Sequence, residues 1–158
     1  MQSKSILLVE DNDGEAELLA KALQKSGITA KVTRARDGAE ALDILRRTEE
    51  NGDDPPSVVF LDLDLPKLHG LEVLRRIRSQ ERMRMLPVVV LSGSKREVDI
   101  ATASMLGANN YLTKHTNFSE FSQAVGLLAT YWLSVNAPWA AAQSHGSASA
   151  RDDWSFVR

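Results

Sequence analysis

The sequence predicts a doubly wound α/β fold, in which a five-stranded parallel sheet lies between two layers of helices. Two observations carry this prediction: short apolar runs recur along the chain, and segments with helical periodicity lie between them. Four runs are apolar at consecutive positions, which is typical of strands buried on both faces. They are residues 6–9, 58–61 and 88–91 and, more weakly, 111–113. A fifth, half-exposed strand is predicted at 28–33, where apolar and polar residues alternate.

Four segments between these strands have apolar residues at helical spacing. The first ends at Gly27, and the second ends before the breaker run 51–56. The four apolar faces are Leu18, Leu19, Ala22 and Leu23; Ala41, Leu42 and Leu45; Leu71, Leu74 and Ile77; and Val98, Ala101 and Met105. Because strands and helices alternate, right-handed crossovers are expected throughout.

The last predicted helix is apolar over more of its surface than a surface helix needs. A first stripe is expected to face the sheet, and a second lies beside it. The first is Phe118, Phe121, Val125, Leu128 and Trp132, and the second is Ala124, Leu127, Tyr131 and Val135. A second copy of the chain is the simplest partner for the second stripe, and deeper burial by the C-terminal tail is the alternative. We therefore expect a homodimer built on the last helix and the tail.

Length and composition predict one domain, residues 1–135, followed by a tail, residues 136–158. A chain of 158 residues with 43% hydrophobic content can bury a core of its own. Beyond Pro138 the composition changes to Ala, Ser and Gly with isolated Trp139 and Trp154, which is typical of a flexible or partner-contacting tail. Output is expected to pass through protein contacts, because no further globular region follows.

Composition also excludes several classes of function. The absence of cysteine excludes thiol catalysis, disulfide scaffolds and thiolate metal sites. With 19 basic and 21 acidic residues, the net charge of −2 does not favour nucleic-acid binding. No apolar run approaches the ~20 residues that span a bilayer, and no secretory leader is visible at the start. We expect a cytoplasmic protein with no membrane or nucleic-acid partner.

Acidic residues stand directly after two of the apolar runs that are expected to be buried strands. Glu10 and Asp11 follow the first run, and Asp62 follows 58–61, with Asp64 two positions later. In a doubly wound sheet the carboxyl ends of the strands form the ligand crevice. If the two strands are neighbours, Glu10, Asp11 and Asp62 converge in one pocket. Mg²⁺ is the natural compensation for such a cluster, although Glu10 and Asp11 are also the kind of residues that begin a loop and cap a helix.

Two more polar residues lie at the same predicted edge. Ser92 follows the run 88–91, and Lys114 follows 111–113. Each alone is ordinary at the end of a strand. Together with the acids they supply a nucleophilic carboxylate, a metal pocket, a hydroxyl and a fixed cation, which are the groups that handle a phosphoryl group.

These motifs resemble the receiver domain of two-component response regulators. The resemblance rests on Ile6-Leu7-Leu8-Val9-Glu10-Asp11-Asn12, on Leu61-Asp62-Leu63-Asp64-Leu65-Pro66 with Gly70, on Leu91-Ser92-Gly93 and on Tyr111-Leu112-Thr113-Lys114. Their spacing agrees too, with 51 residues from Asp11 to Asp62, 30 more to Ser92 and 22 more to Lys114. The Glu-Asp-Asn opening and the Tyr131-Trp132 ending look most like receivers that partner bacterial phytochrome-type histidine kinases.

The resemblance implies a flavodoxin-like sheet of strand order 2-1-3-4-5 and a role for each site residue. Asp62 would accept a phosphoryl group from a histidine kinase, and Lys114 would pair with its oxygens. Asp11 and Asp62 would bind Mg²⁺ directly with the backbone carbonyl of Asp64, while Glu10 would act through water.

The resemblance also implies a switch. Ser92 would move to the phosphoryl group, and Tyr111 would turn inward behind it. Gly93 leaves the acyl phosphate open to approach, and the side chains of Asp64 and Ser94 flank the entry of water. The result is a phosphorylated signalling switch in a phosphorelay, which promotes its own phosphorylation and slow dephosphorylation, and not a metabolic enzyme.

One departure concerns the residue after Lys114. The family normally has proline there, joined by a cis bond, and this chain has His115. A non-proline cis bond is unfavourable by roughly 2.5–4 kcal/mol, so the bond between Lys114 and His115 is expected to be either trans or strained.

Two other functions compete with the switch. A degenerate receiver would serve only as a docking or dimerisation module. A haloacid dehalogenase-type phosphatase would use Asp62-Leu63-Asp64 as its Asp-x-Asp signature, but a strand with an acidic pair precedes it and Pro66 replaces the expected hydroxyl. A P-loop NTPase is excluded, because no Gly-x-x-x-x-Gly-Lys-Ser/Thr motif occurs.

Overall fold

The computed structural model describes residues 4–114 and 117–135 as a strictly alternating α/β chain. Its elements are β1 Ser5–Val9, α1 Asp13–Lys25, β2 Lys31–Ala35, α2 Gly38–Asn51, β3 Val58–Asp62, α3 Gly70–Ser79, β4 Val88–Ser92, α4 Glu97–Met105, β5 Asn110–Thr113 and α5 Phe118–Thr130. A π-helical turn, Tyr131–Val135, continues α5. Among the described residues no helix is long and apolar enough to cross a membrane.

The five strands form one parallel sheet in the order β2-β1-β3-β4-β5. This confirms the predicted fold class and strand order. β1 and β3 are neighbours, with Val9 opposite Leu61. Residues that follow β1 therefore lie beside Asp62 at the carboxyl edge of the sheet, where the predicted crevice should form.

The core has one layer on each face of the sheet. Side chains of β1 and β3 alternate between the layers, so that Leu61 packs with α2 and α3 while Phe60 packs with α1 and α5. All five residues of β3 and all five of β4 are buried. The continuous apolar runs therefore correspond to two-sided burial, as predicted.

Besides the last helix, three predicted elements differ from the structure. Leu18, which was predicted on the apolar face of α1, is 43% exposed. The second strand was predicted at 28–33, but β2 spans Lys31–Ala35, because pairing with β1 sets its register and Ile28 packs against the core from the preceding loop. The predicted apolar face of α4 is wrong. Val98 and Met105 are 54% and 88% exposed, and α4 is buried through Ala103. A small residue allows close approach to the sheet, whereas the larger apolar side chains point outward.

The last helix follows the predicted stripes only in part. Val125 is fully buried, while Phe121, Leu128 and Trp132 pack partly buried against the core. Phe118, at the start of the first stripe, is 44% exposed. From the second stripe, Leu127 and Tyr131 are 72% and 45% exposed, so α5 presents apolar side chains to solvent. The predicted tail, 136–158, lies outside the described residues.

The start of α3 is pressed against the end of β3 at Gly70. A Cβ atom at this position would lie 2.4 Å from the carbonyl oxygen of Asp62 and 2.6 Å from the Cα of Leu63. Gly70→Ala is therefore expected to lower the unfolding free energy by about 1–3 kcal/mol, since backbone must move to admit the methyl group. Urea unfolding measures this change. Gly93→Ala, where a Cβ meets no atom within 4 Å, is the matched control and should change stability little; equal effects of the two would contradict the close approach.

Candidate functional site

Three carboxylates meet at the carboxyl edge of β1 and β3. One oxygen from each of Glu10, Asp11 and Asp62 lies within 4.8 Å of the others. Glu10 and Asp62 are 0% and 3% exposed, whereas Asp11 is exposed. The sequence predicted this convergence from the strand ends, and the parallel pairing of β1 with β3 produces it.

Lys114 places its ammonium among these acids. Its Nζ lies 2.8 Å from Glu10 Oε2 and 3.1 Å from Asp62 Oδ2. The backbone N–H of Lys114 donates to the carbonyl of Ser92 at 2.8 Å, which ties the end of β5 to the end of β4. The ammonium therefore reaches the predicted position, while His115 lies outside the described residues.

Burial governs the charges of this cluster. Desolvation raises the pKa of Glu10 from 4.5 to about 8, the hydrogen bond from Lys114 opposes the shift, and the charge of Asp62 adds to it. Desolvation acts to lower the pKa of Lys114, but the hydrogen bonds to Glu10 and Glu15 and the charge of Asp62 raise it overall. Lys114 therefore keeps its positive charge, and it lies among several acidic side chains.

The loop that carries Glu10 and Asp11 is held by backbone contacts. The Glu10 N–H donates to the carbonyl of Ala35 at 3.0 Å, and Arg34 Nε donates to the Glu10 carbonyl at 3.0 Å. Arg34 also donates to Asp13 Oδ1 at 2.7 Å, in the first turn of α1. Arg34 lies just beyond the strand predicted at 28–33, so no pattern in the sequence pointed to it.

An open cleft of about 380 Å³ leads to the acids. Asp64 lies exposed at this cleft, and its backbone N–H donates to Asp62 Oδ1 at 3.1 Å. Since Lys114 contacts Asp62 Oδ2, both carboxylate oxygens of Asp62 have a partner. The remaining lining residues are Glu10, Asp11, Asn12, Glu15, Gly93 and Lys114.

Ser92 and Tyr111 are connected through Ser94. The Ser94 N–H donates to Ser92 Oγ at 3.1 Å, and the Tyr111 hydroxyl donates to the carbonyl of Ser94 at 3.0 Å. The Ser94 hydroxyl in turn donates to Asp99 in the first turn of α4. Ser92 itself is 2% exposed at the end of β4. One loop residue thus joins both predicted switch residues to α4.

Glu15 is a further member of the site that sequence reasoning missed. It lies in the first turn of α1, where an acid three residues after Asn12 is explained by helix capping. In the structure Glu15 Oε2 accepts from Lys114 Nζ at 2.5 Å. The only sequence signal is an acid near the Glu10–Asp11 pair, which does not identify its partner 99 residues away.

Comparison with known proteins agrees with this geometry. A family model described as the response regulator receiver domain matches residues 6–126. The chain belongs to this receiver family. Receivers are signalling switches that pair with histidine kinases, are phosphorylated on an aspartate and bind Mg²⁺ in an acidic pocket. The family match confirms the predicted family and favours it over the phosphatase.

Individual relatives cover most of the receiver. This chain is 43% identical over 131 residues to the probable methanogenesis regulatory protein FilR2 of Methanothrix harundinacea. The aligned region covers 83% of this chain and 84% of FilR2. It is 37% identical over 131 residues to response regulator Rcp1 of Synechocystis sp., over 82% of this chain and 89% of Rcp1.

Solved structures show the same fold. The phosphorylated cyanobacterial phytochrome response regulator RcpA matches with a TM-score of 0.77 and 40% identity, over 85% of this chain and 97% of RcpA. The Mn²⁺-bound form of response regulator Rcp1 matches with a TM-score of 0.76 and 34% identity, over 85% of this chain and 98% of that one. The receiver is therefore similar to phytochrome response regulators.

Proposed function

We propose that Asp62 accepts a phosphoryl group from a phosphohistidine of a cytoplasmic histidine kinase, and that the receiver then changes its protein contacts. The observation that supports this proposal is the environment of the Asp62 carboxylate. Its carboxylate is 3% exposed, contacts the Lys114 ammonium at 3.1 Å and lies within 4.8 Å of two other carboxylates. A nucleophile, a fixed cation and an anionic pocket are the parts that phosphoryl transfer requires.

In the transfer, an oxygen of Asp62 attacks phosphorus and a P–O bond forms. The P–N bond of the phosphohistidine breaks, and its electron pair returns to the imidazole nitrogen. Lys114 donates to the phosphoryl oxygens and stabilises their charge. Gly93 has open space around its Cα and leaves the approach free.

The acidic cluster fits a divalent cation. Three carboxylates face one ammonium inside the cleft, and oxygen atoms are the ligands that Mg²⁺ prefers. Asp11, Asp62 and the backbone carbonyl of Asp64 would hold the ion directly, and Glu10 would act through water. When bound, Mg²⁺ neutralises charge on the phosphoryl oxygens.

The switch residues supply the response. Ser92 would leave the Ser94 N–H to bond the phosphoryl group, and Tyr111 would leave the Ser94 carbonyl and turn inward. Both moves release Ser94, which contacts α4 through Asp99. An acyl phosphate carries about two negative charges where the Asp62 carboxylate carries one, and it adds three acceptor oxygens, which is enough to bias such a two-state element.

A kinase of the bacteriophytochrome type is the proposed partner. The support is the similarity to RcpA, a cyanobacterial phytochrome response regulator, together with the Glu-Asp-Asn motif. Pulldown of the receiver with candidate sensor kinases tests the pairing.

We also propose a homodimer that uses the exposed apolar residues of α5, with the tail reaching across to the partner. Leu127, which is 72% exposed, is central to this surface. Leu127→Gln is expected to shift sedimentation toward monomer, because apolar burial at the interface is lost without a change of charge. Met105→Gln, on α4 and 88% exposed, is the matched control. A dimer lost in Met105→Gln and kept in Leu127→Gln would move the interface to α4.

Mass spectrometry after incubation with acetyl phosphate and Mg²⁺ tests the function itself. One added phosphoryl group, absent when a chelator replaces Mg²⁺, is the expected result. No adduct at all would support the docking module. Continuous hydrolysis of phosphomonoesters would instead support the phosphatase.

A further inference from the structure

Three carboxylates share the ammonium of Lys114. Besides Glu10 at 2.8 Å and Asp62 at 3.1 Å, Glu15 Oε2 lies 2.5 Å from Nζ. Nζ donates hydrogen bonds to Glu10 and Glu15 and forms an ion pair with Asp62. Glu15 comes from α1, which makes the helix part of the lysine site.

The side chain of Glu15 is available because another residue has replaced it in capping α1. Asn12 Oδ1 accepts from the Glu15 N–H at 2.9 Å, as in a capping box. There the glutamate side chain normally returns the bond to the N–H of the capping residue. Here Glu10 Oε1 accepts from the Asn12 N–H at 3.2 Å instead. The Glu15 carboxylate therefore binds Lys114, while the Asn12 N–H at the start of α1 keeps a hydrogen-bond acceptor in Glu10.

The three partners of Lys114 differ in what happens to them during transfer. Asp62 changes its charge and shape when it becomes an acyl phosphate. Glu10 is fully buried, and Glu15 is partly exposed at the lip of the cleft. Glu10 and Glu15 are thus the two hydrogen-bond acceptors of Lys114 that the transfer leaves unchanged, while the ion pair with Asp62 is the contact that changes.

We propose that Glu15 is a positioning residue for phosphoryl transfer, which holds Lys114 from the outer side of the cleft while Glu10 holds it from the inner side. This inference rests on the proposed roles of Asp62 and Lys114. Two anchors restrict the rotation of the long lysine side chain, so its remaining N–H is aligned before the phosphoryl group arrives.

Glu15→Gln tests the inference, with Glu17→Gln as matched control. Glu17 lies on the same helix, and the substitution removes the same charge there. Within residues 4–114 and 117–135, its ion-pair partner is the exposed Lys21 at 3.2 Å. With acetyl phosphate and saturating Mg²⁺, the rate constant of phosphorylation is expected to fall about tenfold in Glu15→Gln and to stay within about twofold in Glu17→Gln. A rate in Glu15→Gln equal to that of the wild type would overturn the inference while the function of Asp62 stands.

A double-mutant cycle separates positioning from a general structural effect. In a Lys114→Ala background, adding Glu15→Gln is expected to have no further effect, because Glu15 acts through Lys114. A further slowing of the same size would overturn the inference. If the wild-type receiver takes up no phosphoryl group, the proposed function and this inference fall together.

The ammonium of Lys114 can also be observed directly by ¹⁵N NMR. Hydrogen bonds slow the exchange of its protons with water, so a signal is expected in the wild type and in Glu17→Gln. Loss of that signal in Glu15→Gln supports the second anchor. A signal of undiminished intensity would show that Glu10 and Asp62 suffice, which contradicts the inference.

Discussion

The Asp62→Asn variant is expected to take up no phosphoryl group from acetyl phosphate and Mg²⁺, where the wild type takes up one. An amide is uncharged and a poor nucleophile, so the attack on phosphorus stops. The substitution also removes one of three carboxylates that meet within 4.8 Å, which weakens the affinity for Mg²⁺. Intact mass after incubation measures the outcome.

Asp64→Asn is the matched control for this loss. Asp64 lies in the same cleft but is exposed, and its hydrogen bond to Asp62 comes from the backbone N–H, which the substitution keeps. It should still accept the phosphoryl group, with a changed lifetime of the adduct at most. If the adduct persists in Asp62→Asn and disappears in Asp64→Asn, the phosphoryl acceptor is Asp64, and the proposal for Asp62 is wrong. Circular dichroism should show Asp62→Asn folded, since the substitution relieves repulsion between buried acids.

The stability of the metal-free receiver is expected to fall as pH rises from 5 to 9. Burial raises the pKa of Glu10 from 4.5 to about 8, so the folded state holds a proton that the unfolded chain has released. The stabilisation is complete below the unfolded pKa and is lost as pH rises through the folded pKa. We expect a loss of about 2–4 kcal/mol, measured by urea unfolding in the presence of a chelator.

Glu10→Gln should flatten this pH dependence, because the amide has no proton to lose. Glu17→Gln, at an exposed position, should leave it unchanged. The acids with lowered pKa values, Asp13, Glu15, Asp37 and Glu72, titrate below the range of the experiment. Saturating Mg²⁺ should also flatten the curve, since the cation neutralises the cluster in place of the proton. A wild-type stability that rises with pH in chelator would contradict a raised pKa of Glu10 in the folded state.

Much of the fold could be predicted from the sequence, because burial on both faces leaves a local signal. The run 58–61 has no polar position, and β3 is buried throughout. The edge strand was placed three residues early, because its start depends on pairing of Lys31 with Ser5. The face of α4 was wrong because Val98 and Met105 resemble core residues, whereas contact with the sheet is made by Ala103.

In the site, too, the residues placed by strand ends could be predicted, whereas those placed by packing between elements could not. Glu10, Asp62 and Lys114 follow or end strands that meet at one edge, so strand position alone brought them together. Glu15 and Arg34 act through contacts set by the packing of α1 and β2, with partners 99 and 24 residues away. No local pattern distinguishes such contacts from capping or strand alternation. Only the assembled sheet shows them.

The bonds of Ser94 have a consequence for how the receiver responds. In the proposed switch, Ser92 gives up its bond to the Ser94 N–H and Tyr111 gives up its bond to the Ser94 carbonyl. Since the hydroxyl of the same residue is bound to Asp99, the proposed switch would change the loop as one cooperative unit. Graded intermediates would then be disfavoured. Each molecule would report phosphorylation as on or off, and the strength of the signal would be the fraction of molecules that have converted.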